Sequence, residues 1–466
     1  MFSIGETDPV DGNLTKALIA LAIPIVGQNF VQVAQQMVDL IWLGRYSTLA
    51  VAAIGLATPL IITLFAIVIA APAVGSLTVV SQRVGAADSQ QPSEATLAGI
   101  GLVCAFGAVA AVITIFGAGR LVPLLTGLSP NTASSRDITN LAVVYVQIVS
   151  IGVIIGGISD IIEVSFIGWG KSRLSLVVNI ISLVINAVLD PVFIFGLGPI
   201  PELGLKGAAI ATLIGYGGGL LTGLVLAYQA ENRILPALHL PERSTTMEVL
   251  HVGAPQSAKE LVQQGSQVVI VTVAFALGGG AGVAAFIIGD RVASFARIPA
   301  YGLKQAVQSI TGQNIGAQQH TRARATTTRG VVLAGGALVA VGIAQFVFAT
   351  EIAGLLLPSA STSTIVLTAE FLEIVAFCYP AIGGYYAFQG GFDGARRAEV
   401  SFYAAATQGW LFMLPLTFAF SRLGVASVQA VYWGYMTSFV VIAVLLGAYY
   451  YLSIRQGLMR GQPSAS

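Results

Sequence analysis

Of 466 residues, 56% are hydrophobic and only 9% are charged, and the mean hydropathy is +0.84. Soluble domains carry about 45–50% apolar and about 25% charged residues, so this chain cannot cover its own surface in water and lipid is part of its solvent. A net charge of +1 offers no basic field to nucleic acid, and the two cysteines, Cys104 and Cys378, lie inside apolar runs as small core residues rather than in a disulfide framework or metal cluster.

Glu6, Asp8 and Asp11 precede the first apolar run, where a signal peptide would carry a basic segment, so the first helix is expected to be retained. A spanning helix takes about 20 mostly apolar residues. Twelve runs meet that length, at 14–43, 49–81, 95–118, 138–168, 174–197, 205–229, 250–277, 283–314, 328–350, 364–392, 399–420 and 426–453. Turn chemistry separates them: Gly198-Pro199-Ile200-Pro201, Gly278-Gly279-Gly280, and a hydrophilic 230–249 stretch with Pro236 and Pro241.

The first half predicts its own repeat. Pro24 and Pro255 sit early in runs 1 and 7, 231 residues apart, and Gln82/Gln313 and Gly85/Gly316 end runs 2 and 8 at the same separation. Pro191 and Pro415 align at 224 in runs 5 and 11. The expected fold is therefore an all-α integral membrane protein, with twelve transmembrane helices in two six-helix bundles forming a parallel repeat. Residues 1–229 would form the N-terminal lobe, 230–249 a cytoplasmic linker and 250–466 the C-terminal lobe. With the N-terminus inside, thirteen Lys and Arg fall in inside segments (Lys16, Arg83, Lys171, Arg173, Arg233, Arg243, Arg322, Arg324, Arg329, Arg396, Arg397, Arg455, Arg460) against five outside (Arg45, Arg120, Arg136, Lys206, Arg422). That bias places both termini in the cytoplasm.

Polar groups in hydrocarbon are costly and face a cavity or another helix. Run 1 carries Gln28, Gln32, Gln35 and Asp39 at spacings of 4, 3 and 4, one arc of a helix, flanked by Asn29 and Gln36. Pro24 precedes that stripe and favours a bend. Run 4 contributes Tyr145, Asp160 and Glu163, the last two close enough to Lys171 and Arg173 in sequence for ion pairing to explain them. Run 5 repeats the device with Asn179, Ser182, Asn186 and Asp190, and run 6 adds Thr212 and Tyr216 one turn apart. Amide and hydroxyl stripes also serve as interhelical glue. A carboxylate at mid-membrane is the stronger functional signal.

The second half differs. Gln256, Lys259, Gln263 and Gln267 repeat the run 1 stripe with Glu260 beside it, but Ile270 stands where Asp39 would fall and Leu414 where Asp190 would fall. Lys259/Glu260, and Asp290 with Arg291, Arg297 or Lys304, read as structural or gating pairs, and Tyr385, Tyr386, Phe388 and Gln389 as packing or cavity lining.

Taken together, the proline of run 1 followed by QxMVDLIWLG with Asp39, the NAVLDPVFIFGLG of run 5 and the parallel halves resemble the multidrug and toxic compound extrusion (MATE) family, its archaeal and DinF-like branch most. The resemblance covers essentially the whole chain. It implies secondary antiport that exports small, often cationic organic molecules in exchange for a proton or sodium. It also implies a cation-coupling site at Asp39, Asn186, Asp190 and Thr212, where a sodium ion would sit if sodium is the coupling ion, with Tyr145 hydrogen-bonding nearby. Pro24, Gln28, Gln32, Gln35 and Glu163 would line or gate the cavity. The family uses no cofactor beyond the coupling ion and is not enzymatic; the expected partners are the bilayer of the plasma membrane and small substrates, with the chain acting as a monomer.

Two departures stand out. Gln263 occupies the place of a glutamate in the NorM-like branch, and Glu163 stands where relatives often have asparagine. A lipid-linked saccharide flippase of the same architecture is the nearest rival reading, but it calls for a cationic cavity. A prenyltransferase would need Asp-rich magnesium motifs, and a retinal protein a Schiff-base lysine in a seven-helix plan.

Overall fold

The computed structural model describes residues 10, 12–87, 92–126, 133–230, 234, 239–356, 361–425 and 428–455. Glu6, Asp8, Asp11, Arg233, Pro236 and Arg460 lie outside the described residues. Among the described residues, every apolar run falls mainly on helix. In chain order the elements are α1 (Leu14–Tyr46), α2 (Thr48–Phe65), α3 (Ala71–Gly85), α4 (Pro92–Thr126), α5 (Ala133–Gly168), α6 (Ser172–Phe195), α7 (Leu205–Gln229), α8 (Arg243–Ala296), α9 (Ile298–Gly316), α10 (His320–Val347), α11 (Ala349–Leu356), α12 (Thr362–Ala376), α13 (Tyr379–Gly394), α14 (Ala398–Ala406), α15 (Leu414–Arg422) and α16 (Gln429–Arg455). No strand occurs among the described residues. Backbone groups in hydrocarbon have no water to bond, so a spanning chain with no closed barrel must satisfy them within helices.

Nine helices among the described residues are long and apolar enough to cross a membrane, or ten when the bent pair α12 and α13 counts as one span. Several of the twelve runs are broken or fused in ways that spacing does not reveal. Run 7 and the first part of run 8, to Ala296, fall on α8, which leaves helical geometry at Gly279 (φ 59°, ψ −156°), a conformation open to glycine alone at little cost; the rest of run 8 falls mainly on α9. Run 10 bends by 56° between α12 and α13, where Pro380 opens the second helix. Runs 2 and 11 are interrupted by π-helical turns, Ala66–Ala70 and Thr407–Met413. Each ends two residues before a proline, Pro72 or Pro415. A proline ring clashes with the carbonyl four residues back and takes no hydrogen bond there, and an inserted residue relieves that clash. By contrast α1 and α6 run on through Pro24 and Pro191 as continuous helices.

The chain divides into two compact units. One is Gly27–Ser257; the other is built from the residues on either side of that segment. The boundaries fall inside α1 and α8, just past Pro24 and Pro255, so the 230–249 stretch belongs to the first of these units.

The Gly27–Ser257 unit is organised around the contact of α6 with α7. Ala211, Gly215, Gly219, Gly223 and Ala227 recur every fourth residue of α7 and are all buried. Without side chains the backbones close in, the usual way helices associate in lipid. A Cβ on Gly215 would stand 3.1 Å from the Cβ of Asn186 and 3.1 Å from the Ser182 carbonyl oxygen. This closeness brings Asn186 on α6 beside Thr212 on α7.

The second unit has an aromatic core. Phe371 packs edge-on to Phe286 at 5.6 Å and to Tyr432 at 5.1 Å. Tyr385 packs against Tyr386 at 5.2 Å and Phe439 at 5.8 Å, and Phe388 against Tyr450 at 5.2 Å, all buried. Ile270 and Leu414, the counterparts of Asp39 and Asp190, are buried in that same apolar cluster. The repeat thus fills with hydrocarbon in one unit the positions it gives to carboxylates in the other. Of the cysteines, Cys378 is buried, but Cys104 is exposed on α4 and is not a core residue.

Gly215→Val should wedge α6 from α7. Overpacking of this kind costs about 1–3 kcal/mol, so the thermal midpoint in detergent should fall by several degrees. Gly217→Ala on the same helix meets nothing within 4 Å and should leave the midpoint unchanged. Equal loss in both would refute the close-packed seam.

Candidate functional site

Four helices of the Gly27–Ser257 unit converge on one group of polar side chains. Asn186 and Asp190 lie one turn apart on α6 and are fully buried. Asn186 donates its amide to Asp190 Oδ1 at 3.4 Å and to Thr212 Oγ1 at 3.4 Å. Thr212 in turn donates to the Ala208 carbonyl one turn back at 3.0 Å, which leaves its oxygen to accept. From α1, the Asp39 carboxyl comes within hydrogen-bonding reach of both Asp190 and Asn186. From α5, Tyr145 faces Asp39 and Asp190, with Tyr216 of α7 beside it. The structure therefore brings together Asp39, Asn186, Asp190, Thr212 and Tyr145 from positions spread over 174 residues of sequence (39 to 212, counted inclusively).

The oxygens of this group outnumber its donors. Asp39 Oδ1, Asp190 Oδ2 and Asn186 Oδ1 are all buried and accept no hydrogen bond from any described residue. A buried acceptor without a partner is destabilising, and two ionised carboxylates at contact repel strongly in a poorly polarisable interior. Two remedies exist: a shared proton, or a small cation lodged among the oxygens. Hard cations favour such all-oxygen surroundings. Among the described residues no group of three or more His, Cys, Asp and Glu side chains gathers for a transition metal. The donor set fits a proton or a sodium ion, which Asp39, Asn186, Asp190 and Thr212 would hold.

A second polar cluster is built from three of the same helices, α1, α5 and α6. Glu163 of α5 is buried at 4% exposure and accepts from Gln28 Nε2 of α1 at 2.8 Å and from Ser159 Oγ at 3.0 Å. It also accepts from Ser175 Oγ at 3.4 Å and from the Asn179 amide. Asp160 and Tyr216 lie close by. The ion pairing of Glu163 with Lys171 or Arg173 expected from sequence is replaced by these neutral donors; a carboxylate can accept all four bonds, so no cation is required to satisfy it. The sequence reading missed Ser175. It is buried one turn ahead of Asn179, so extending the run 5 stripe by four residues would have found it.

The amide stripe of α1 is not one uniform wet face. Gln28 is buried, Gln35 half-buried and Gln32 exposed, and Pro24 is buried ahead of them. In the other unit Lys259 lies 3.8 Å from Glu260, Arg297 is 3.4 Å from Asp290, and Lys304 is 3.0 Å from Asp393. Arg297, rather than Arg291 or Lys304, is thus the partner of Asp290, and Lys304 has an aspartate of its own on α13. Tyr385, Tyr386, Phe388 and Gln389 are buried within their unit.

The MatE family pattern matches residues 24–192 and 255–419, two segments that begin at Pro24 and Pro255. The probable multidrug resistance protein NorM of Thermotoga maritima is 26% identical over 72% of this chain and 70% of its own length. A protein of the same description from Rhizobium meliloti is 27% identical over 97% of this chain and 96% of its own. A solved structure described as the outward-facing conformation of a multidrug resistance MATE family transporter of the MOP superfamily superposes with a TM-score of 0.88 at 21% identity, covering 98% of this chain and 99% of that one.

Proposed function

The chain belongs to the MatE family of multi-pass membrane transporters, and from that premise we propose that it exports small, often cationic organic molecules in exchange for a proton or a sodium ion, with Asp39 and Asp190 as the coupling pair. One observation carries the proposal: three buried oxygens, on Asp39, Asn186 and Asp190, converge without a donor. A proton or sodium ion at this point removes the repulsion between the carboxylates. A cationic substrate requires the opposite, since it is held by negative charge that the ion would cancel. Ion and substrate therefore exclude one another, and mutual exclusion at one site is the thermodynamic core of antiport.

Each participant has a separate task. Asp39 and Asp190 supply charge, Asn186 ties Asp190 to Thr212, and Thr212 offers a neutral oxygen. Tyr145 lies close enough to complement whichever carboxyl is ionised. A membrane potential of 100 mV contributes about 2.3 kcal/mol per charge moved, enough to bias the cycle towards export. Pro24 leaves α1 one hydrogen bond short, so bending of α1 near it is the low-cost conformational step that accompanies ion uptake.

In proteoliposomes, Asp39→Asn and Asp190→Asn should each abolish ethidium export driven by a proton or sodium gradient, with the thermal midpoint preserved. Asn186→Ala and Thr212→Ala should retain transport but require about tenfold more coupling ion, since each removes one neutral oxygen or its tether. Normal transport by the Asp39→Asn, Asp190→Asn double variant would remove these residues from the mechanism.

The proposal also places both termini and the 230–249 stretch in the cytoplasm, on the thirteen-to-five basic bias. Leu240 is 93% exposed. In a background lacking Cys104 and Cys378, Leu240→Cys should resist impermeant maleimides in intact cells and react in inverted vesicles. The reverse pattern would invert the topology.

A further inference from the structure

Gln28 is held at both ends of its amide. Its Nε2 donates to Glu163 Oε2 at 2.8 Å, and its Oε1 accepts from Ser175 Oγ at 2.8 Å. The single hydroxyl proton of Ser175 is shared with Glu163 Oε2 at 3.4 Å, the longer arm of a three-centre bond, which closes a triangle over α1, α5 and α6. All three side chains are buried, at 7% exposure for Gln28, 4% for Glu163 and 0% for Ser175. The backbones are close here too: a Cβ on the neighbouring Gly27 would stand 3.4 Å from a methyl of Leu176. Glu163 is itself braced by Ser159 on its own helix and Asn179 on α6. None of these groups touches the Asp39–Asp190 site, and neutral glue between two helices needs no carboxylate.

The position of Gln28 along α1 gives the triangle its consequence. Gln28 and Asp39 are 11 residues apart. At about 100° per residue, eleven steps return to within about 20° of the starting direction. The helix between them is continuous. Whatever fixes the direction of Gln28 therefore fixes the direction of Asp39, about 16 Å further along the axis. A rotation of about 100°, the step of one residue, would swing the Asp39 carboxyl away from Asn186 and Asp190.

We infer that Glu163 is a positioning residue for the coupling carboxylate: through Gln28 it sets the rotational register of α1 and so aims Asp39 at Asp190 and Asn186. The inference rests on the reading of Asp39 and Asp190 as the coupling pair. Its action is geometric. Glu163 works as an acceptor of hydrogen bonds, not as a carrier of the transported ion, and a neutral side chain of the same shape with an oxygen at Oε2 performs the same task.

Two readouts test it in full-length protein reconstituted in liposomes, in a background lacking Cys104 and Cys378. The first is the distance between spin labels at Met37→Cys on α1 and Val188→Cys on α6, both exposed positions. The second is the coupling-ion concentration that gives half-maximal ethidium export. Glu163→Met and Gln28→Met keep the length of the side chain and remove the bonds. Each should broaden the label distance into two populations and raise the ion requirement about tenfold. The double Met variant should be no worse than either single, because the two residues act through one contact. Glu163→Gln should keep one narrow distance and an ion requirement within about twofold of the parent.

Unchanged distances in both Met variants, or additive effects in the double, would overturn the inference. So would a Glu163→Gln variant as inactive as Asp39→Asn, since Glu163 would then carry charge rather than position it. If Glu163→Met does not fold, Gln28→Met alone decides, as it leaves the carboxylate three donors. The label distances need no transported ion, so they stand or fall independently of the antiport reading, which the Asp39 and Asp190 variants test.

Discussion

The cost of burying two carboxylates side by side in a medium that solvates neither governs this protein. Asp39 and Asp190 approach within hydrogen-bonding reach, and three oxygens around them have no donor among the described residues. An isolated arrangement of that kind would be unstable; it persists because the rest of the unit holds it in place. The stripe of Gly and Ala on α7 brings Thr212 against Asn186, Pro191 follows Asp190 directly, and α1 is pinned by Gln28. The instability that remains is useful, since a proton or cation relieves it and its departure restores it. On the proposed function, a coupling site has to be unstable in at least one state, and unpartnered buried oxygens supply that instability.

The two halves of the repeat show what the site costs and where it can be dispensed with. Ile270 and Leu414 occupy the equivalent positions in the other unit and are buried in an apolar and aromatic cluster. Charged side chains are present there too, and among them Arg297 pairs with Asp290, Lys304 with Asp393 and Lys259 with Glu260. Pairing of that type satisfies charge within the protein and leaves little demand for an ion from outside. The family pattern is thus present in both halves, while the paired carboxylates stand in one half alone.

Much of this was legible in the residues themselves. Twelve apolar runs, the recurrence of Pro24 at Pro255 and the Asn-x-x-x-Asp-Pro of α6 led to the fold and to Asn186, Asp190 and Asp39, because length, proline spacing and helical periodicity are local properties. The partners of Glu163 were not legible. Its donors come from α1, α5 and α6, and which helices meet is decided by packing that no spacing within one run records; proximity in sequence suggested Lys171 and Arg173 instead. The exposure of Cys104 was hidden for another reason. In lipid the outside of a helix is as apolar as its inside, so an apolar run does not reveal which face is buried. The breaks near Pro72 and Pro415 were hidden as well, since the same residue lets α1 and α6 continue without a π-turn.

The central claim is that ion and substrate compete for one pair of carboxylates, and binding tests it without the complications of a transport cycle. Ethidium added to purified protein in detergent, in lightly buffered solution with a pH indicator and with radioactive sodium in a parallel sample, should displace the coupling ion. The account predicts stoichiometric release of protons or of sodium from the parent and none from the Asp39→Asn, Asp190→Asn variant, even where ethidium still binds weakly. Equal release from the two proteins, or ethidium binding to the parent with no ion displaced, would contradict it.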